Sequence, residues 1–276
     1  MDPITKAKGD EAVIYYDTNY GNFDTELYSE IRREAFGEDI GQNSWLTADE
    51  QDRFLSWLAL SAGSTLLDVA CGAGGPALRI AAKTGASFTG IDVHEQAIAK
   101  GNALAEQRGL SQAAKFRVLD AAQPLPFPDS TFDAITCIDA INHLPDRPRV
   151  ISEWVRLLKP KGRLLFTDSL IVTGPLTNAE IAVRSSAGFY LFVPPGYDEQ
   201  VLAQCGLRVV VAKDVTQNTA KMADRRRVAR ESHAQALREI EGNQAFAAQQ
   251  EFLSVASRLA KEGRLSRFVF VAEKLR

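Results

Sequence analysis

Gly72 and Gly74 follow the apolar run Leu66-Leu67-Asp68-Val69 and precede Pro76, so a strand breaks into a glycine-rich turn that opens a helix. Without side chains, both glycines let the backbone turn tightly and let a ligand approach its amides. A second run, Thr89-Gly90-Ile91-Asp92, ends in a carboxylate about 20 residues beyond the glycines. In a sheet of parallel strands both ends face one crevice, where Asp92 can accept hydrogen bonds from two ribose hydroxyls. These features call for a nucleotide-bearing cofactor, and two classes fit. Gly72-x-Gly74-x-x-Ala77 satisfies the permissive dinucleotide fingerprint. Asp68, just ahead of the glycines, repels a pyrophosphate and suits the ammonium and sulfonium of S-adenosylmethionine. The sign of that charge favours the methyl donor, whose spent form is S-adenosylhomocysteine.

The elements that must hold these residues alternate along the chain. Strands are expected near 65–70, 87–91, 115–119, 133–138, 163–168 and 207–213, with a last one at Arg267–Val271. Helices are expected from Pro76, from Glu95, near 147–158 and near 198–205. Such alternation predicts parallel strands with right-handed crossovers. Pro76 suits a first helical turn, where its missing amide goes unpaired in any case. Thr47-Ala48-Asp49-Glu50 reads as a capping box ahead of Phe54, Leu55 and Leu58 at helical spacing. A long Ala-, Arg- and Gln-rich stretch over 219–262 reads as helix, broken near Glu241-Gly242-Asn243.

Asp68-x-Ala70-x-Gly72-x-Gly74 resembles the first motif of the class I S-adenosylmethionine-dependent methyltransferases, with Ala70 in place of the first glycine. A methyl group is tolerated there if the backbone still runs as strand. The resemblance continues through Asp92 and Val93, Leu119-Asp120-Ala121, Phe132 to Cys137 with Ile138, and Leu157 to Leu165. It covers residues 64–168 in the family's order. It implies an α/β, Rossmann-like, doubly wound and mostly parallel seven-stranded sheet with an antiparallel last strand and helical cap or lid insertions. Cofactor contacts are implied at Asp68, Ala70, Gly72, Gly74, Asp92, Val93, Asp120, Ala121, Cys137 and Ile138. The implied layout is an N-terminal lid over 1–46, a core over 47–215 with a cap insertion near 170–197, a helical insertion over 216–263, and a last strand over 264–276. The helical insertion is read either as a lid or as a packing arm or homodimer contact.

Asp139-x-x-x-His143, just after the fourth strand, is similar to an acid-to-histidine motif of the phosphoethanolamine and sarcosine/dimethylglycine branch. By that resemblance Asp139 binds a cationic amine or orients His143, and His143 serves as base or polar clamp; capping the following helix or contacting the cofactor carboxylate is the other use of His143. Tyr16 and Tyr20 lie in a stretch that looks like the family's mobile lid, which sets a tyrosine near cofactor or acceptor; packing the arm onto the core is their other use. Phe189 to Tyr197 is the densest aromatic segment and would suit an aromatic or isoprenoid-like acceptor. A phosphorylated acceptor would call for a cluster of arginines or lysines beside the pocket, and the sequence alone does not place Arg147, Arg149 or Arg184 there.

Composition bounds the rest. The 276 residues are 45% hydrophobic and 24% charged with a net charge of -3, enough for a substantial core and with no general attraction to nucleic acid. The Arg225-Arg226-Arg227 cluster alternates with acids and reads as a solvated face. No run is long enough to span a membrane and the polar start has no signal-peptide core, so the expected compartment is cytoplasmic. Three scattered cysteines and three histidines show no disulfide or metal-ligand spacing, so no metal is expected. The sequence thus favours methyl transfer to nitrogen or oxygen of a small molecule. An NAD-dependent oxidoreductase and a non-catalytic cofactor-binding interaction protein stand as rivals. The former leaves Asp68 unexplained, and no tyrosine is followed four residues later by lysine.

Overall fold

The computed structural model describes residues 20–186 and 188–275. Tyr16 lies outside them.

Seven strands form one sheet in the order β3-β2-β1-β4-β5-β7-β6. They are β1 Thr65–Val69, β2 Ser87–Asp92, β3 Ala114–Val118, β4 Phe132–Cys137, β5 Leu158–Val172, β6 Leu207–Asp214 and β7 Leu265–Lys274. Strands β1 to β5 pair in parallel, and β7 runs antiparallel between β5 and β6, as the family resemblance implies. The helices are α1 Glu26–Phe36, α2 Ala48–Leu58, α3 Gly75–Thr84, α4 Glu95–Gln107, α5 Arg147–Leu157, α6 Asn178–Arg184, α7 Tyr197–Gln204, α8 Thr216–Ser232, α9 Ala234–Glu241 and α10 Asn243–Lys261.

Period-two alternation along β1 explains the two core layers. Leu67 and Val69 face the layer that holds Trp154, Phe166 and Leu202, while Leu66 faces Phe54, Leu78 and Ile98. Each fully buried aliphatic side chain contributes about 1.5–3 kcal/mol. Asp68 falls on the same side of β1 as Leu66, and its register partners are Gly90 on β2 and Thr136 on β4.

The glycine turn departs from expectation in two ways. Ala70 is not strand: its φ is +54°, in the left-handed region, where an L side chain costs roughly 1–2 kcal/mol. Gly74 has a packing requirement that the sequence reading did not foresee. A Cβ there would lie 2.0 Å from Cε1 of Phe116, and the same ring also fills the space beside Gly90 and Gly101. Gly74→Ala should therefore cost about 1–3 kcal/mol through overpacking. Chemical denaturation of the variant would reveal it, and Phe116→Leu in the same chain should recover part of the loss.

Only half of the expected capping box at α2 forms. The Glu50 amide donates to Thr47 Oγ1, but the Glu50 carboxylate is buried and pairs with Arg267 on β7 instead of reaching back. The 219–262 region is three helices, broken at His233 as well as at Gly242. Helices α8 and α10 pack with α1 around Tyr28, Phe36, Met222, Leu237, Phe246 and Leu253, a separate core above the sheet. Among the described residues no helix is long and apolar enough to cross a membrane.

Candidate active site

The carboxyl ends of β1, β2 and β4 open into a cavity of about 710 Å³. Its floor is the glycine turn and its roof is the α8–α10 insertion with the segment before α2.

At the floor, Thr136 Oγ1 donates to Asp68 at 2.7 Å, and burial pushes the Asp68 carboxyl up to about 7, with the Asp92 charge adding to the shift. Asp92 Oδ2 accepts from the Gly72 amide at 2.8 Å and Oδ1 from the His94 amide at 3.0 Å. Each oxygen keeps a second lone pair, so ribose hydroxyls can still be received. Val93 stays 45% exposed against the cavity, which offers an apolar surface to a flat base. Asp120 folds its side chain onto the Ala122 amide at 2.8 Å, and with Ala121, Ala70 and Ile138 it lines the same half. Tyr20 is buried over Gly72: a Cβ on that glycine would meet the Tyr20 Oη at 2.6 Å. Burial and the nearby Asp92 charge push the Tyr20 hydroxyl upward, so it stays protonated.

Two expected cofactor residues do not line the cavity. Gly74 is spent on Phe116, and Cys137 is fully buried in the opposite core layer because alternation along β4 turns Thr136, not Cys137, toward Asp68.

The other half of the cavity is built by later elements. His143 ends a short 3-10 turn over Ile141–His143, and its Nδ1–H donates to the Phe189 carbonyl at 3.1 Å. That bond sets the tautomer in which Nε2 is the acceptor nitrogen. Burial, aided by the charges of His94 and Arg184, holds the imidazole down to about 4, so it is neutral near pH 7. Tyr190 packs on it, 4.4 Å between ring centroids. Of the aromatic segment, Phe189 and Tyr190 reach the cavity; Tyr197 packs under Arg147.

Asp139 borders the cavity with its carboxylate taken. Oδ1 accepts from Arg267 Nε at 2.6 Å and from Thr167 Oγ1 at 2.8 Å, and Oδ2 accepts from the Trp45 amide at 3.0 Å. It does not orient the Nδ1 of His143, which goes to the Phe189 carbonyl, and its own oxygens are engaged by Arg267, Thr167 and the Trp45 amide. Its φ of +55° is held by this network. Arg147 does not line the cavity; it is buried between Asp168 and Asp198 at 2.6 Å from each.

Several cavity residues escaped sequence reasoning. Arg226 leaves the solvated face on which it was placed: Arg225 donates to the Glu34 carbonyl outside, while Arg226 turns inward over Trp45. Helix α10 presents Ala245, Ala248, Gln249 and Phe252 to the cavity, an i, i+3, i+4, i+7 stripe that was legible as helix but not as lining. On the outer surface, Glu30 and Glu34 on α1 bring carboxylate oxygens within 4.8 Å of His233, a ligand-like grouping across sequence that spacing alone does not show.

Because a cation in the cavity favours the Asp68 carboxylate, cofactor binding must expel the proton that Asp68 carries in the empty site. Affinity for S-adenosylmethionine should fall toward tenfold per pH unit as pH drops below about 7. Titration calorimetry in buffers of different ionisation enthalpy would show proton release below pH 7 and none well above it.

Comparison with known proteins agrees with this geometry. A family profile described as a methyltransferase domain matches residues 67–166. The 27-O-demethylrifamycin SV methyltransferase of Amycolatopsis mediterranei is 32% identical over 235 residues, 79% of this chain and 85% of that one. Seven further curated methyltransferases align over shorter stretches, 26–45% of their own lengths, so the chain spans less than half of each. Among solved structures, the [4+2]-cyclase SpnF superposes with a TM-score of 0.75 at 24% identity, over 95% of both chains. Phosphoethanolamine N-methyltransferase 2 of Haemonchus contortus, solved with S-adenosylhomocysteine and phosphomonomethylethanolamine, superposes with a TM-score of 0.78 at 18% identity, over 95% of this chain and 60% of that one. The cofactor is S-adenosylmethionine. The chain belongs to the class I S-adenosylmethionine-dependent methyltransferases that act on small molecules.

Proposed function

We propose that the methyl group goes to a hydroxyl oxygen of a small molecule, with His143 receiving the proton. The observation that carries this reading is the His143 imidazole: neutral, half-buried on the lining of the same cavity as Asp68, and fixed by the Phe189 carbonyl with Nε2 as acceptor. A free amine needs no base, and a cationic amine would need the carboxylate that Asp139 has already committed to Arg267. A hydroxyl must lose its proton. The rifamycin methyltransferase, similar over 79% of this chain, carries an O-methyl acceptor in its name, which supports the same choice.

The chemistry is an in-line displacement. The acceptor oxygen forms a bond to the methyl carbon as the carbon–sulfur bond breaks, and that electron pair returns to sulfur to give S-adenosylhomocysteine. The hydroxyl becomes strongly acidic as its oxygen is alkylated, so an imidazole near 4 suffices to take the proton late in the reaction. Positioning and exclusion of water supply much of the acceleration. The α8 and α10 side chains that line the cavity, Arg226, Ala245, Ala248, Gln249 and Phe252, support such exclusion.

The test is to supply donor labelled with carbon-13 in the methyl group together with matched phenols, alcohols and amines. Label appearing on oxygen supports the proposal. Label confined to nitrogen or carbon overturns it.

A further inference from the structure

Asn142 stands between the fully buried Ile141 and His143 on the short turn after β4, 2% exposed and on the lining of the cavity. Its main chain is fixed. The carbonyl accepts from the Leu191 amide at 2.7 Å, and the amides of His143 and Leu144 close the turn on the carbonyls of Ala140 and Ile141. Its side chain is not matched in the same way: the buried Oδ1 has no hydrogen-bond partner among the described residues. Other polar side chains at these strand ends are engaged. Thr136 serves Asp68, Asp139 serves Arg267 and Thr167, and His143 Nδ1 serves the Phe189 carbonyl. A dry amide oxygen without a donor costs the fold the desolvation of that group, whereas an apolar side chain of the same shape carries no such penalty. Trp154 Nε1 is also buried without a partner, but it lies in the core and does not line the cavity, so no ligand reaches it. The position of Asn142 on the cavity wall gives its unmatched carboxamide a use that Trp154 cannot have.

We propose that Asn142 is a specificity residue of the acceptor site, its carboxamide pairing with a second hydroxyl of the acceptor, one that is not methylated. A hydroxyl both donates and accepts, so it satisfies the carboxamide whichever of the two polar atoms it meets. An ether only accepts and leaves the amide oxygen without a donor, and an ammonium finds no charge on the carboxamide to match its own. The stacked rings of Trp45 and Phe252, 6.4 Å apart, and the small Ala245 and Ala248 give the cavity an apolar lining that suits a flat apolar body carrying the hydroxyls. A site built to pair with a hydroxyl rejects the analogue that lacks it, because the protein's own polar group is then left unmatched. The inference rests on that half of the cavity being the acceptor site, but not on which atom receives the methyl group.

The test uses the full chain saturated with S-adenosylhomocysteine, titrated with 2-naphthol, with the 2,3-, 2,6- and 2,7-dihydroxynaphthalenes, and with the monomethyl ether of each diol. At least one diol should bind roughly tenfold more tightly than 2-naphthol and than its own monomethyl ether, the scale of one hydrogen bond to a group otherwise left unpaired. Asn142→Leu keeps the branched shape without the polar atoms. It should shrink that preference to under about twofold, leave S-adenosylhomocysteine affinity within about twofold, and unfold at the parent's temperature or above it. Asn142→Ala carries the same titration if the leucine variant does not fold. Diols that bind no better than 2-naphthol, no binding of any of the compounds, or a preference that survives in the folded variants overturns the proposal. So does a loss of S-adenosylhomocysteine affinity equal to the loss for the diol, or unfolding of both variants more than about 5 °C below the parent, which would assign Asn142 to the fold. No methyl transfer is involved in the titration, so a diol preference combined with label arriving on nitrogen or carbon would remove the oxygen reading and leave the role of Asn142 standing.

Discussion

His143→Ala should lower kcat by about 10²- to 10⁴-fold, the usual scale of a lost general base, while affinity for S-adenosylmethionine stays nearly unchanged. The side chain lies on the turn after β4 and is held by Phe189 and Tyr190, both outside the glycine turn, so its removal leaves the floor of the cavity intact. The pH dependence separates its role from simple packing. Held at about 4, the imidazole stays neutral through the physiological range, so its contribution to the acid limb of kcat should appear near pH 4 and not near the ordinary 6.5. The sign for stability runs the same way: the unfolded chain takes up this proton first, so stability from this group falls as pH drops from about 6.5 toward 4. A variant that retains turnover, or one that loses donor binding to the same degree as turnover, would remove His143 from the chemistry.

Arg267→Ala should cost about 3–5 kcal/mol, because it strands two buried carboxylates. Arg267 is fully buried, with Nη1 at 2.8–2.9 Å from both Glu50 oxygens and Nε at 2.6 Å from Asp139. Asn218 on α8 donates to the same Glu50 and to the Trp45 carbonyl, so the network ties β7, α2, the roof and the loop after β4 into one unit. Against a total stability of about 5–15 kcal/mol this is a large fraction. Thermal unfolding should shift downward on the order of 10 °C. Glu50→Gln added to the variant should restore part of the loss, since one uncompensated charge is then removed. A shift of only a degree or two would mean that the carboxylates find other compensation.

The cofactor half was largely legible in sequence because its signals are local. Strand, turn, Pro76 and helix follow within a dozen positions, and Asp68 and Asp92 are placed by the register of neighbouring parallel strands. Ala70 was misjudged because a short apolar run gives no sign of where a strand ends, and only the φ angle shows that β1 stops at Val69. Gly74 was assigned to a ligand because the Phe116 ring that demands it comes from β3, 42 positions later. The acceptor half depends on longer-range partners still. Glu50 looked like a helix cap until Arg267, 217 positions away, claimed it. Asp139 and His143 share a helical spacing in sequence, yet the turn after β4 and the β5 threonine send them to different partners. Arg226 is one of three consecutive arginines, and nothing local says which of them the roof folds inward.

A crystal structure of the protein with S-adenosylhomocysteine tests the central claim most directly. The ribose should rest against Asp92, and the amino-acid end should lie along residues 68–72 with its ammonium facing the Asp68 side of the turn. The sulfur should point toward the half of the cavity that holds His143. Density for the compound away from the ends of β1 and β2, or none there at saturating concentration, would contradict the account.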